Sequence, residues 1–115
     1  MALMFPRLAR NFFKNGYFPT DEPTLERALA ALAPAAPSAG PLCILDPCAG
    51  EGVAIAEAAH ALGRERVQAF AVEYEAERAR HARQLVDRCI HGDLMDTLIS
   101  RQSFGLLWLN PPYGD

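Results

Sequence analysis

The chain has 115 residues, enough for one domain, and half of them are hydrophobic, so a globular core is feasible. The net charge of −3 argues against a strongly basic surface for nucleic acid, and no apolar run of about 18 residues could span a membrane. Cys43, Cys48 and Cys89 lack a C-x-x-C spacing, so we expect reduced thiols in a cytoplasmic protein and no metal site.

Residues 1–41 are predicted to form an N-terminal segment with a single helix. An irregular, aromatic-rich stretch leads to a helix start at 20–23, where a capping side chain, acidic residues and a proline follow one another. Leucines at helical spacing extend the predicted helix to about Ala33. A connector rich in Pro, Ala, Ser and Gly then covers 34–41.

Residues 42–115 alternate between strand and helix patterns, which predicts an α/β domain with a parallel sheet and right-handed crossovers. Ligands of such sheets bind at the carboxyl ends of the strands. The predicted strands are 42–46, 67–72, 88–90 and 104–109, and the predicted helices are 53–62, 75–87 and a short one within 93–100.

The loop after the first strand carries Gly50-Glu51-Gly52, which only partly matches a dinucleotide-binding loop. Ile55 occupies the position of the third glycine of that motif, and no Lys or Arg lies between residues 42 and 63. Asp46 and Glu51 would repel a phosphate group. The charges therefore favour a cationic ligand, and a dehydrogenase is the least favoured function.

Asp46 to Gly52 match the pattern D-P-x-x-G-x-G, and Asn110 to Tyr113 spell N-P-P-Y. These two motifs resemble those of the S-adenosylmethionine-dependent amino-methyltransferases, most closely the N6-adenine DNA methyltransferases. The resemblance implies a Rossmann-like class I methyltransferase fold, with a parallel sheet and flanking helices, and S-adenosylmethionine as cofactor. That fold has more strands than the four predicted here, so we expect the N-terminal half of a catalytic domain, truncated after the fourth strand.

Three explanations for the short sheet stay open: a fragment of a longer protein, a naturally short chain, or a decayed remnant. An exposed fourth-strand edge would favour aggregation unless it is covered. We therefore expect that a second chain or self-association could cover this edge.

The resemblance also implies which residues contact the cofactor. Asp46 would face the methionine ammonium, Glu73 the ribose hydroxyls and Asp93 the adenine amino group. Simpler roles stay open: Glu73 as a solvated strand end, Asp93 as a helix cap, and the N-terminal aromatics as a cover for the sheet. The implied cofactor set is Tyr17, Phe18, Thr20, Asp46, Pro47, Cys48, Ala49, Gly50, Gly52, Glu73, Asp93 and, through its backbone N–H, Leu94. Within it, Pro19-Thr20 reverses the order of the family's Thr-Pro pair.

The N-P-P-Y motif supplies the implied catalytic residues, Asn110, Pro111, Pro112 and Tyr113. An exocyclic amine is a poor nucleophile with two N–H donors, and the Asn110 amide oxygen and the Pro111 carbonyl could accept both. The prolines stiffen the turn, and Tyr113 could stack on a base flipped out of a duplex. The alternative is a proline-rich turn that only ends a strand.

These inferences predict methylation of N6 of adenine in DNA, with nucleic acid bound through segments outside this chain and no membrane partner. Methylation of a guanine amino group in RNA or of a glutamine amide in protein stays open. So does a non-catalytic scaffold subunit that retains the fold.

Overall fold

The computed structural model describes residues 19–34 and 40–111. Tyr17, Phe18, Pro112 and Tyr113 lie outside the described residues, so the roles predicted for them stay predictions. No helix within the described ranges has the length and apolarity needed to cross a membrane. The helices are α1 (Glu22–Leu29), α2 (Val53–Ala61) and α3 (Ala76–Ala82), and the strands are β1 (Leu42–Asp46), β2 (Val67–Glu73), β3 (Arg88–His91) and β4 (Leu106–Leu107).

Helix α1 begins where the sequence predicted. The Asp21 carboxylate accepts a hydrogen bond from the Thr24 backbone N–H at 3.2 Å, and Pro23 lies in the first turn, where its missing N–H is harmless. The helix ends at Leu29, earlier than predicted, because the following residues form a turn in which the Leu32 N–H donates to the Leu29 carbonyl at 3.0 Å. α1 packs against α2, and Leu32 packs against the core.

The four strands form one parallel sheet in the order β3-β2-β1-β4, which confirms the Rossmann-like architecture. From β1 the chain steps outward through β2 to β3, and then returns to place β4 on the other side of β1. The strand order therefore reverses between β1 and β4. Ligands of open parallel sheets bind beside the carboxyl ends of the strands at such a point.

The main core lies between α2, α3 and one face of the sheet. Ile44 and Ile55 are fully buried, and alanines such as Ala59, Ala69 and Ala79 are inaccessible as well. Small side chains let the helices approach the sheet closely. On the opposite face, the rings of Phe70 and Phe104 meet edge to face, with their centroids 5.4 Å apart.

The second helix of the α/β unit, α3, is shorter than predicted. It ends at Ala82, whereas the prediction extended it to about residue 87. The Asp87 carboxylate accepts from the Ala69 N–H at 2.7 Å and pairs with Arg64 at 3.1 Å, while the Asp87 N–H donates to the Ala69 carbonyl at 2.9 Å. These bonds tie residue 87 to β2, so the chain leaves the helix early to begin β3.

The predicted elements after β3 are also shorter than expected. The helix expected within 93–100 is a single 3-10 turn, Leu94–Asp96. β4 pairs only over Leu106–Leu107, where the prediction was 104–109. The end of β4 follows from the end of its neighbouring strand, β1. The Trp108 N–H donates to the Leu45 carbonyl at 2.9 Å, and β1 ends one residue later, at Asp46.

Candidate functional site

The loop after β1, residues 47–52, lies across the carboxyl ends of β1 and β2. Asp46 is buried at the end of β1, and its carboxylate accepts from the Cys48 N–H at 3.1 Å. The Ala49 N–H donates to the Val72 carbonyl at 2.9 Å. These bonds fix the loop against the sheet, so the motif that resembles the methyltransferase loop is a rigid turn at the predicted edge.

Gly52 has a packing role in addition to its turn conformation. Its φ is +89°, and a Cβ built there would lie 3.0 Å from both Cα and Cβ of Ala82 in α3. The glycine therefore permits the start of α2 to touch α3. The sequence suggested that the glycines bring the backbone close to a ligand, whereas at Gly52 the close neighbour is a helix of the same chain.

Glu73 ends β2 with a carboxylate that is already bound to the protein. Its Oε1 accepts from the Gly50 N–H at 2.7 Å, and its Oε2 accepts from the Glu75 N–H at 2.9 Å and from the Nε of Arg78 at 3.1 Å. The Arg78 and Glu73 side chains are each 6% exposed. Three of the roughly four acceptor positions of a carboxylate are thus used by described donors. Glu73 organises the loop, and a contact with two ribose hydroxyls would need one of these bonds to lengthen.

Several carboxyl groups lie close together at this edge and influence one another's titration. Burial raises the pKa of Asp46 to about 7, and the negative charge of Glu73 adds to that rise. Burial also raises the pKa of the Cys48 thiol, with further contributions from Asp46, Glu73 and Asp93. Burial itself disfavours charge of either sign, and it is the contribution of the neighbouring carboxylates that favours a cation over an anion at this edge.

Asp93 and Leu94 lie just after β3, at the same edge. The Asp93 carboxylate is exposed and accepts from the Met95 N–H at 2.9 Å, so it caps the short 3-10 turn that contains Leu94. The Gly92 N–H donates to the Glu73 carbonyl at 2.9 Å, which places this segment beside the end of β2. The cap and a contact with a bound ligand are compatible, because a carboxylate can accept several hydrogen bonds.

Asn110 lies past the end of β4, on the other side of β1. Its Nδ2 donates to Oγ1 of Thr20 at 3.0 Å, across 90 residues of sequence, and both residues are partly buried. Pro111 follows as an exposed residue. The structure therefore brings Thr20 to Asn110, on the substrate side of the predicted site.

Comparison with known proteins identifies the family. Residues 2–115 match the model of the uncharacterised methyltransferase family (DUF6094). The chain belongs to this family. No protein of curated function matches the chain significantly.

Two solved structures support the methyltransferase fold. TrmN from Thermus thermophilus is 28% identical, with a TM-score of 0.58, over 93% of this chain and 33% of its own. A protein-L-isoaspartate O-methyltransferase is 16% identical, with a TM-score of 0.57, over 78% of this chain and 29% of its own, and that likeness concerns the fold alone. The chain thus spans about a third of the length of these structures.

The residues at this edge of the sheet fit a cationic organic cofactor. The loop backbone is fixed, and a buried carboxylate, Asp46, lies beside Glu73 at the strand ends. Within residues 19–34 and 40–111, no three His, Cys, Asp or Glu side chains are grouped so that they could bind a metal ion. All three cysteines carry free thiols, and only Cys89 is buried.

Arg78 is the residue that the sequence analysis missed. It is 5% exposed and forms an ion pair with Glu73 at 3.1 Å. The sequence did contain a sign of this role. Arg78 lies five residues after Glu73 in a short helix, on the same side as the buried Ala79 and Ala82. An arginine among buried alanines indicates a buried partner of opposite charge.

Proposed function

We propose that this protein is an S-adenosylmethionine-dependent methyltransferase that acts on an exocyclic amino group, with N6 of adenine in DNA as the first candidate. One observation carries the proposal: the Asp46 loop and the Asn110-Pro111 pair lie at the ends of neighbouring strands, β1 and β4, where the strand order reverses. A cofactor beside β1 and an amine beside β4 would then be adjacent.

On the cofactor side, the chain supplies fixed carboxylates. S-adenosylmethionine, when bound, supplies a methyl group attached to a positively charged sulfur. Ionised Asp46 would attract the ammonium of its methionine part, and the loop 47–52 would wrap around that part. Asp93 and the Leu94 N–H would contact the adenine, and Glu73 would fix the loop and reach the ribose. Tyr17 and Phe18 remain proposed cofactor contacts.

On the substrate side, Asn110 and Pro111 supply acceptors. The Asn110 amide oxygen and the Pro111 carbonyl would accept the two N–H bonds of the target amine, which favours the pyramidal nitrogen that attacks the methyl carbon. Positioning the nitrogen in line would supply most of the rate. Pro112 would keep the turn rigid, and Tyr113 would stack on the target ring.

Calorimetric titration tests the cofactor. We expect S-adenosylmethionine to bind and NAD to bind far more weakly, because the loop is acidic. Asp46→Asn keeps the side-chain shape but removes the charge, and should weaken binding about tenfold or more. Asp96→Asn is the matched control, because Asp96 is exposed at this edge of the sheet without a proposed ligand contact. Tighter binding of NAD, or equal losses in the two variants, would contradict the proposal.

Methyl incorporation tests the reaction and its substrate class. A form of the protein that includes the substrate-binding segments expected outside this chain is incubated with tritiated S-adenosylmethionine and, separately, unmethylated DNA, total RNA or a protein extract. We expect label in DNA. Asn110→Ala should lower the rate of methyl transfer about 10²–10³-fold relative to the unmodified protein and leave the affinity for S-adenosylmethionine within a few fold. Label only in RNA or protein would overturn the DNA assignment. Cofactor binding without transfer to any of the three would favour a scaffold subunit.

A further inference from the structure

Thr20 and Asn110 form the contact that joins the N-terminal segment to the strand end of the proposed substrate site. The amide Nδ2 of Asn110 is 3.0 Å from the hydroxyl oxygen of Thr20. Thr20 directly precedes the Asp21 cap of α1, and α1 packs against α2. The hydroxyl is therefore presented by a segment whose position is set by the helix layer and not by the β4 turn itself.

The direction of this hydrogen bond matters for the chemistry of Asn110. An asparagine amide is planar, and rotation about its last side-chain bond is broad and roughly two-fold. The Thr20 hydroxyl could bond to either end of the amide, so the contact fixes where the Asn110 side chain lies, and in the arrangement observed the NH₂ group faces Thr20 and the amide oxygen points to the other side. With the amide turned over, an NH₂ group would face the NH₂ group of the substrate, and two donors would oppose one another.

We propose that Thr20 is a positioning residue that holds the Asn110 side chain in place at the end of β4, and that it does not act mainly as a cofactor contact. This inference rests on the proposed function, because it assumes that the amide oxygen of Asn110 accepts from the target amine. It gives the N-terminal segment a defined task at the substrate side of the site. It also differs from the role that the motif resemblance implies for Thr20.

The first test uses substitutions that change only the hydroxyl. Thr20→Val keeps the shape and removes the hydrogen bond, whereas Thr20→Ser retains it. We expect Thr20→Val to lower kcat for methyl incorporation into DNA about tenfold, the scale of one lost hydrogen bond. The dissociation constant for S-adenosylmethionine should stay within about threefold. Thr20→Ser should restore most of kcat. Thr24→Val is the control for losing a hydroxyl in the same segment, because the Thr24 side chain bonds to the Asp21 cap.

The second test needs no activity and observes the amide directly. The chain contains three asparagines, so selective ¹⁵N-asparagine labelling gives few side-chain NH₂ signals, and Asn110→Ala identifies the one from Asn110. In the protein without cofactor or substrate, we expect Thr20→Val to shift this signal. Thr20→Ser and Thr24→Val should leave it nearly unchanged.

The outcomes separate this inference from the proposed function. An unchanged Asn110 signal in Thr20→Val would show that the contact does not form in solution and would overturn the inference. Weaker cofactor binding with unchanged kcat would overturn it as well, in favour of the cofactor role. If the unmodified protein neither binds S-adenosylmethionine nor transfers methyl groups, the proposed function fails, and the assumption on which the inference rests fails with it.

Discussion

Replacing Arg78 by methionine should destabilise the fold strongly, because it removes one partner of a buried ion pair. The Arg78 Nε lies 3.1 Å from Glu73 Oε2, and both side chains are 6% exposed. After the substitution, the Glu73 carboxylate would remain buried near Asp46, another buried carboxyl group. The backbone N–H groups of Gly50 and Glu75 would still donate to it, but no described cation would replace the guanidinium at 3.1 Å.

The size of the effect follows from the cost of an uncompensated buried charge. Removing one member of a buried pair typically costs about 3–5 kcal/mol of the free energy of unfolding. With an m value of about 1.5 kcal/mol per molar urea, the unfolding midpoint should fall by roughly 2–3 M. Equilibrium unfolding in urea, followed by the fluorescence of the single tryptophan, Trp108, measures this shift.

A second arginine on the same helix supplies the control. Arg80 pairs with Glu77 at 2.7 Å, but these side chains are 58% and 72% exposed, so Arg80→Met should leave the midpoint nearly unchanged. Adding Glu73→Gln to Arg78→Met should recover part of the loss, because it removes the unpaired charge. Equal midpoints for Arg78→Met and Arg80→Met would refute the reasoning.

Two further predictions concern the buried carboxyl group and the loop glycine. Burial, reinforced by the charge of Glu73, raises the pKa of Asp46 to about 7, so the folded state binds its proton more tightly than the unfolded chain does. The contribution of Asp46 to the free energy of unfolding should be complete below about pH 4 and be lost as the pH rises to about 7. Its slope should be at most about 1.4 kcal/mol per pH unit. Urea unfolding at several pH values measures this slope, and Asp46→Asn should remove it. Gly52→Ala should lower the unfolding midpoint more than Gly63→Ala, because both have positive φ but only the Gly52 Cβ would meet Ala82, at 3.0 Å. Equal losses in the two alanine variants would show that backbone conformation alone accounts for the effect.

The parts of the fold that depend on local signals could be predicted from the sequence. β1 was predicted with its bounds, because an apolar run ends there at Asp46-Pro47 and a proline turn follows. The start of α1 at Asp21 could also be predicted, since the cap and proline are neighbours in sequence. The parallel arrangement followed from alternating strand and helix patterns.

The parts that depend on long-range contacts could not be predicted. α3 ends early because Asp87 bonds to Ala69 on β2, 18 residues away. The residue pattern of the helix itself does not indicate that contact. The partners of Glu73 were missed for the same reason. A carboxylate at a strand end looks like a ligand contact until the loop and α3 are placed beside it.

The bond between Thr20 and Asn110 also constrains the order in which the molecule folds. One hydrogen bond cannot by itself offset the entropy of closing a loop of 90 residues, so this contact depends on the strands and helices that form between the two residues. β1, β2 and β3 can pair in sequence order during synthesis, but β4 must then add to the open edge of β1. A nascent chain would therefore form the cofactor edge first, and the asparagine would gain its threonine partner in one of the last steps of folding.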